Sequence, residues 1–384
     1  MAPTFAEDLA LLCERAPAVV LASEDGQAQV AFAPLYQGRA MTSSLDGAEG
    51  RSLGWINRAQ VASGERTPHM CVWGGEDRFW VGPEGGQHGI FFPPGAPFSF
   101  EHWQVPEAID WGGWEVLEVA SDSARFHQRA LFQSWSGTLF EATLERAVRL
   151  LGRRELAAHL GLELSDKVRA VGFQSDNTLE NVGPEPWTRK HGLLSIWTIG
   201  MFPASDACTV VVPFRKGHER ELGPIVRSDY FHLPGPDRLA VERRKGALFL
   251  RADGRFRSKL GVPRPRAHPW LGSWDEGSAV LTLVHYDLPE EASEYVDARW
   301  KRHADPYDGD VVNAYNDGPP DSSTAAMGSF YELESSSPVH PLAPGEHLRH
   351  LHRTIHLAGP ESALDRVAQA TLGVKLEEIR AALA

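Results

Sequence analysis

A chain of 384 residues, 42% hydrophobic and 23% charged, has enough apolar material for a large core and is not of disordered composition. Its formal net charge of −13, with arginines scattered rather than clustered, argues against a nucleic-acid surface. Three cysteines without a CxxC spacing exclude a cysteine zinc site and argue against a disulfide framework, and no apolar run approaches the roughly 20 residues that span a bilayer.

The first 17 residues carry acids and no basic leader region, and read as a short amphipathic helix rather than a signal peptide. A cytoplasmic protein is the expectation. Ala18–Leu21 and Gln29–Phe32 flank Glu24-Asp25-Gly26, a hairpin signal. A second hairpin is expected where His69–Trp73 and Arg78–Val81 flank Gly74–Asp77, followed by a Gly/Pro-rich loop from Gly82 to Pro97. Leu139, Leu144, Val148 and Leu151 have helical spacing, so a helical insertion is predicted over 138–163, with Glu145, Arg146 and Arg149 on its exposed face. Strands are expected at Lys167–Asn181, Leu193–Met201, Cys208–Pro213, Ala247–Arg251 and Ala279–Tyr286. Gly328–Ser335 and His347–Leu357 read as a terminal strand pair around Pro344-Gly345-Glu346. Residues 361–384 read as a helical tail with Leu364, Val367, Leu372, Leu376 and Ile379 as its apolar stripe. No repeat or linker divides the chain. The expected fold is mainly β, one large antiparallel β-sandwich over 1–384 with a few peripheral helices.

Several blocks carry a family resemblance. Phe330-Tyr331-Glu332-Leu333-Glu334, then Pro338, then Leu342-Ala343-Pro344-Gly345-Glu346 and a strand, resembles the closing segment of aldose-1-epimerases. Val30–Asp46 and Gly74–Trp103 are similar to the opening and middle segments of the same superfamily. The blocks Gln37–Ser43, Ser52–Asn57, Gly75–Gln87 and Asn313–Pro319 resemble an uncharacterised bacterial family within it. The resemblance implies a galactose-mutarotase-like supersandwich and a carbohydrate connection. The Asn-Arg segment and the His-x-Tyr-Phe-Asn-like block of true mutarotases have no counterpart; the nearest stretch, Lys190–Trp197, lacks the pattern.

Anomer interconversion needs a base for the anomeric hydroxyl and an acid for the ring oxygen. Glu334 holds the position of the Leu-Glu of the epimerases and is the expected base. Strand alternation puts Glu332 on the same face. Glu84 and His88 lie in the Gly-rich loop, where backbone can approach a ligand closely, and complete the expected catalytic set. Arg78, Trp80, Gln87, Lys259, Asn313, Asn316 and Asp317 are the expected sugar contacts. The twelve tryptophans are either core or stacking surfaces for sugar rings.

His347, His350, His352 and His356 fall within ten residues, and the last three share a strand face. They could form part of a metal site or simply a hydrogen-bonded polar face; no bound metal is expected. With no Walker loop, dinucleotide fingerprint or serine elbow, phosphoryl-transfer and nicotinamide chemistry are disfavoured, and no cofactor is expected. The expected partner is a sugar or glycan, handled by an epimerase-like enzyme. The alternatives are a non-catalytic sugar-binding protein, or a lyase or metal-dependent hydrolase on the same fold.

Overall fold

The computed structural model describes residues 2–231 and 233–384. Every strand pair in its three sheets is antiparallel. The largest sheet has ten strands. Its order is Leu239–Glu242, Ala247–Arg251, Cys208–Pro213, Trp270–Asp275, Val280–Tyr286, His347–Ala358, Arg169–Asn181, Leu139–Leu150, Ser123–Gln133 and Glu115–Val119. A five-stranded sheet runs Ser258–Pro263, Asp310–Asn316, Phe330–Ser336, Ser195–Pro203 and Arg78–Gly82. A small sheet of Val19–Ala22, Gln29–Ala33 and Arg39–Ser44 contains the expected first hairpin. This is the mainly β, antiparallel sandwich with peripheral helices that the sequence suggested. No helix among the described residues is long and apolar enough to cross a membrane.

Helices cover the outer face of the ten-stranded sheet. Glu361–Leu372 and Leu376–Ala381 bury Leu364, Val367, Leu372, Leu376 and Ile379 in a core with Phe249, Trp270 and Trp274. The expected apolar stripe is therefore the packing face. The N-terminal helix spans Phe5–Cys13, and Thr4 caps it by accepting from the Glu7 backbone while Glu7 accepts from Thr4.

The helical insertion predicted over 138–163 is corrected. Leu139–Leu150 is a strand, and only Arg153–Leu160 is helical. The inward residues are Phe140, Ala142, Leu144, Arg146 and Val148, a period of two. Arg146 concealed that period because it is charged yet fully buried, its guanidinium 2.5 Å from an equally buried Asp77 carboxylate. It is not on an exposed face.

Two pairings also differ. His69–Trp73 forms no strand: the Cys71 amide donates to both Asp110 carboxylate oxygens, and the Trp73 indole donates to the Asp110 carbonyl. Arg78–Gly82 pairs with Ser195–Pro203 instead. The strands Phe330–Ser336 and His347–Ala358 lie in different sheets, and the Pro-containing loop between them carries the chain across the sandwich.

The His-rich strand faces this inter-sheet space. The Ser335 hydroxyl lies 2.8 Å from both His350 Nε2 and His352 Nδ1. His356 lies between Glu76, at 2.6 Å, and Thr282, at 2.9 Å, while His347 is exposed. The three buried histidines are thus engaged by hydroxyls and a carboxylate, and among the described residues no cluster of three or more His, Cys, Asp or Glu side chains is arranged to hold a metal ion.

Candidate functional site

The five-stranded sheet builds the site. Its register aligns Arg78, Ile199, Glu334, Asn313 and Gly261 in one row across all five strands. A neighbouring row holds Met201, Glu332, Tyr315 and Lys259, and Trp80 pairs with Trp197. Because side chains alternate along a strand, all of these project from one face. Residues far apart in the chain, 78–80, 197–199, 259, 313–315 and 332–334, become one surface.

A cleft opens over this face, with about 560 Å³ of empty space counting its mouth. Arg78, Trp80, Trp197, Lys259, Tyr315 and Glu332 line it from the sheet; Glu84, Trp103, Trp300, Phe231 and Arg257 line it from loops. Trp103 and Trp300 stack at 6.0 Å, and Trp80 meets Trp197 edge-on at 5.5 Å. Flat aromatic walls over a polar floor suit a ligand with both C–H faces and hydroxyls.

The charges are paired in a defined way. Arg78 donates to Glu332 at 2.5 Å while its guanidinium lies 4.3 Å from the Trp80 ring centre. Lys259 and the Trp197 indole both donate to Glu334 Oε2, at 2.9 and 2.8 Å. Glu334 Oε1 is buried and has no hydrogen-bond partner among the described residues. Glu84 accepts from the Trp103 indole at 2.9 Å. Burial raises the Glu84 carboxyl above its ordinary pKa, opposed by Lys259 and the indoles of Trp300 and Trp103. Burial also raises Glu332, with Arg78 opposing and Glu334 adding to the rise. For Lys259, burial alone would lower the pKa, but Glu334, Glu84 and Glu332 together raise it.

The structure gathers Arg78, Trp80, Glu84 and Lys259 on the cleft surface. Glu334 lies in the same row but is fully covered. His88 does not line the cleft: its ring stacks on Tyr307 at 6.1 Å, and burial lowers its pKa. Gln87 clamps the loop that carries Trp300, donating to the His303 carbonyl and accepting from its amide. The glycines beside it make that approach possible: a Cβ on Gly85 would stand 2.5 Å from the Arg299 carbonyl oxygen, and one on Gly86 would stand 2.8 Å from the His303 ring. Asn313 donates to the Leu260 carbonyl. Asn316, on the opposite strand face, fixes the turn through Gly254 and Phe256. Asp317 accepts from the Tyr315 hydroxyl and the Gly328 amide. These four residues support the cleft rather than line it.

Trp103, Trp197, Trp300, Tyr315 and Arg257 were not among the expected site residues. Trp197 alternates with Ile199 and Met201, so its strand face was readable, but not its register against Glu334.

A family model matches residues 3–383, nearly the whole chain: a family of unknown function, DUF6786. The chain belongs to that family. Among solved structures, the chain is similar to a "putative aldose 1-epimerase" of Escherichia coli K12, with 11% identity, 89% of this chain and 99% of that one covered, and a TM-score of 0.51. It is also similar to the Slr1438 protein of Synechocystis, with 13% identity, 90% and 97% covered, and a TM-score of 0.50. A galactose mutarotase-like protein from Lactobacillus casei aligns at 14% identity over 88% and 99%, with a TM-score of 0.48. At such identities the likeness is one of fold, the galactose-mutarotase-like supersandwich. No curated protein sequence matches the chain.

Proposed function

We propose that the cleft binds a sugar and interconverts its anomers by acid–base chemistry, with Glu334 as base and Glu84 as acid. Glu334 takes the proton of the anomeric hydroxyl, Glu84 gives one to the ring oxygen, and the bond from the anomeric carbon to the ring oxygen breaks. Rotation in the open aldehyde and reversal of both transfers close the other anomer. The observation that carries this reading is the state of Glu334: one oxygen is fixed by Lys259 and Trp197, and the other is buried without a partner among the described residues. An unsatisfied buried carboxylate oxygen calls for a role, and accepting a substrate proton is one. Glu84 suits the acid role because burial raises its pKa and so favours the protonated form.

The covering of Glu334 requires Lys259 or Trp197 to yield as the sugar enters. The same covering favours a second reading, a sugar-binding protein without turnover. NMR exchange spectroscopy on a panel of aldoses separates the two. Catalysis predicts anomer exchange above the buffer rate that Glu334→Gln lowers on the order of 100- to 10,000-fold while sugar binding persists. Saturable binding with exchange at the buffer rate supports the second reading.

A further inference from the structure

The cations of the cleft are not equivalent. Arg78 is matched by Glu332 and Lys259 by Glu334. Arg257 also lines the cleft, from the segment entering the strand Ser258–Pro263, and it makes no ion pair with any described residue. It is nevertheless held in place. Its guanidinium lies 4.1 Å from the Phe231 ring centre, and its Nε donates to the Tyr315 hydroxyl at 3.2 Å. That hydroxyl donates onward to Asp317 at 2.7 Å, and Asp317 is pinned by the Gly328 amide at 2.9 Å. With Nε engaged and one face stacked, the two terminal nitrogens are the donors left to the partly exposed side chain.

Here a ring and a hydroxyl relay orient a planar cation over a cleft in which the other lysine and arginine are already neutralised. Terminal guanidinium nitrogens presented this way form a fork suited to two oxygens of one anionic group. We infer that Arg257 reads an acidic substituent on the sugar, so that the preferred ligand is an anionic monosaccharide unit bearing a carboxylate or phosphate rather than a neutral hexose. This rests on the sugar-binding reading above and adds the class of sugar. It also gives the Asn313–Pro319 block a purpose: Asp317 is a positioning residue acting on Arg257 through Tyr315.

The test is calorimetric titration of the full-length protein with D-galactose, D-galacturonate and D-galactose 6-phosphate, and with the gluco counterparts of each. The wild type should bind at least one acidic sugar on the order of 10- to 100-fold more tightly than its neutral counterpart, the range of a bidentate charged contact. The two acidic series distinguish carboxylate from phosphate. Arg257→Met should bring the acidic sugar to the affinity that the same variant shows for the neutral one, and Arg257→Lys should restore part of the preference. Thermal melts guard against misfolding. Binding of neutral and acidic sugars alike, or a preference unmoved by Arg257→Met, overturns the inference and leaves the sugar site standing. No binding of any sugar overturns both.

Discussion

Lys259 Nζ stands 2.9 Å from Glu334 Oε2, although the two residues belong to strands separated in the sheet by Asp310–Asn316. The lysine reaches diagonally across its neighbour, and both side chains are buried. Removing one charge strands the other away from water. Lys259→Met should therefore cost about 3–5 kcal/mol of stability, the usual penalty for an uncompensated buried charge. The double variant Lys259→Met, Glu334→Gln should recover much of it. Urea unfolding of both proteins checks this, and a single variant as stable as wild type would contradict the ion-pair account.

Gln87 grips both backbone groups of His303, and the segment 297–303 carries Trp300 into the cleft. Gln87→Ala removes the clamp without touching the cleft surface. Each lost neutral hydrogen bond is worth about 1 kcal/mol, so the protein should stay folded with a modestly lower Tm. Sugar binding should weaken severalfold as Trp300 loses its fixed position. Unchanged affinity would mean that Trp300 needs no such support.

The strands of the site were legible where both faces are apolar or the alternation is plain, as in Leu193–Met201 and the Phe330–Ser335 stretch. Glu332 and Glu334 sharing a face followed from alternation alone. Which strands lie side by side did not, because register is a non-local property. The lateral row from Arg78 to Gly261 exists only once five separate segments have paired. The Gly82–Gly89 loop was recognised as special, but its glycines make room for Arg299 and His303, residues more than 200 positions later. Polar residues misled most. Arg146 looked like surface because its partner Asp77 comes from elsewhere in the chain, and Asn316 looked like a ligand contact because Gly254 and Phe256, which it engages, lie 62 and 60 positions earlier.

Arg146 and Arg149 give a direct test of the strand at Leu139–Leu150. On an exposed helical face both would be dispensable. In the strand, Arg146 meets Asp77 with both side chains fully buried, while Arg149 meets Glu155 at the surface. Arg146→Met should destabilise by about 3–5 kcal/mol because Asp77 is left uncompensated. Arg149→Met should stay within about 1 kcal/mol of wild type. Equal effects in chemical unfolding would contradict the strand orientation.

Three buried histidines make the stability of the fold depend on acid. His352 is held at about 3, far below the ordinary 6.5, by burial first and then by the cations Arg146 and Arg353. His350 is also at about 3, through burial and its neighbour His352, and His285 is at about 3 through burial and Arg353. In each case the unfolded chain binds the proton at a pH where the folded chain does not. Their stabilising contribution is full above about pH 6.5 and is lost progressively as the pH falls towards about 3. Asp110 and Asp310 work the other way. Burial raises both to about 6, so their contribution is fully present at low pH and falls away as the pH rises through about 6. The two sets oppose each other over the same range, and the slope of the wild type alone does not isolate either. His352→Gln does, because it deletes one histidine and leaves the aspartates in place. Glutamine retains a donor and an acceptor for the Ser335 hydroxyl, which lies 2.8 Å from His352 Nδ1. Between about pH 6.5 and about pH 4.5, the unfolding free energy of the variant should fall less steeply with acid than that of wild type. The difference should approach about 1.4 kcal/mol per pH unit, the limit for one proton. Urea unfolding at three or four pH values gives both curves. Parallel curves would show that His352 is protonated in the folded protein as readily as in the unfolded chain, and would contradict its depressed pKa.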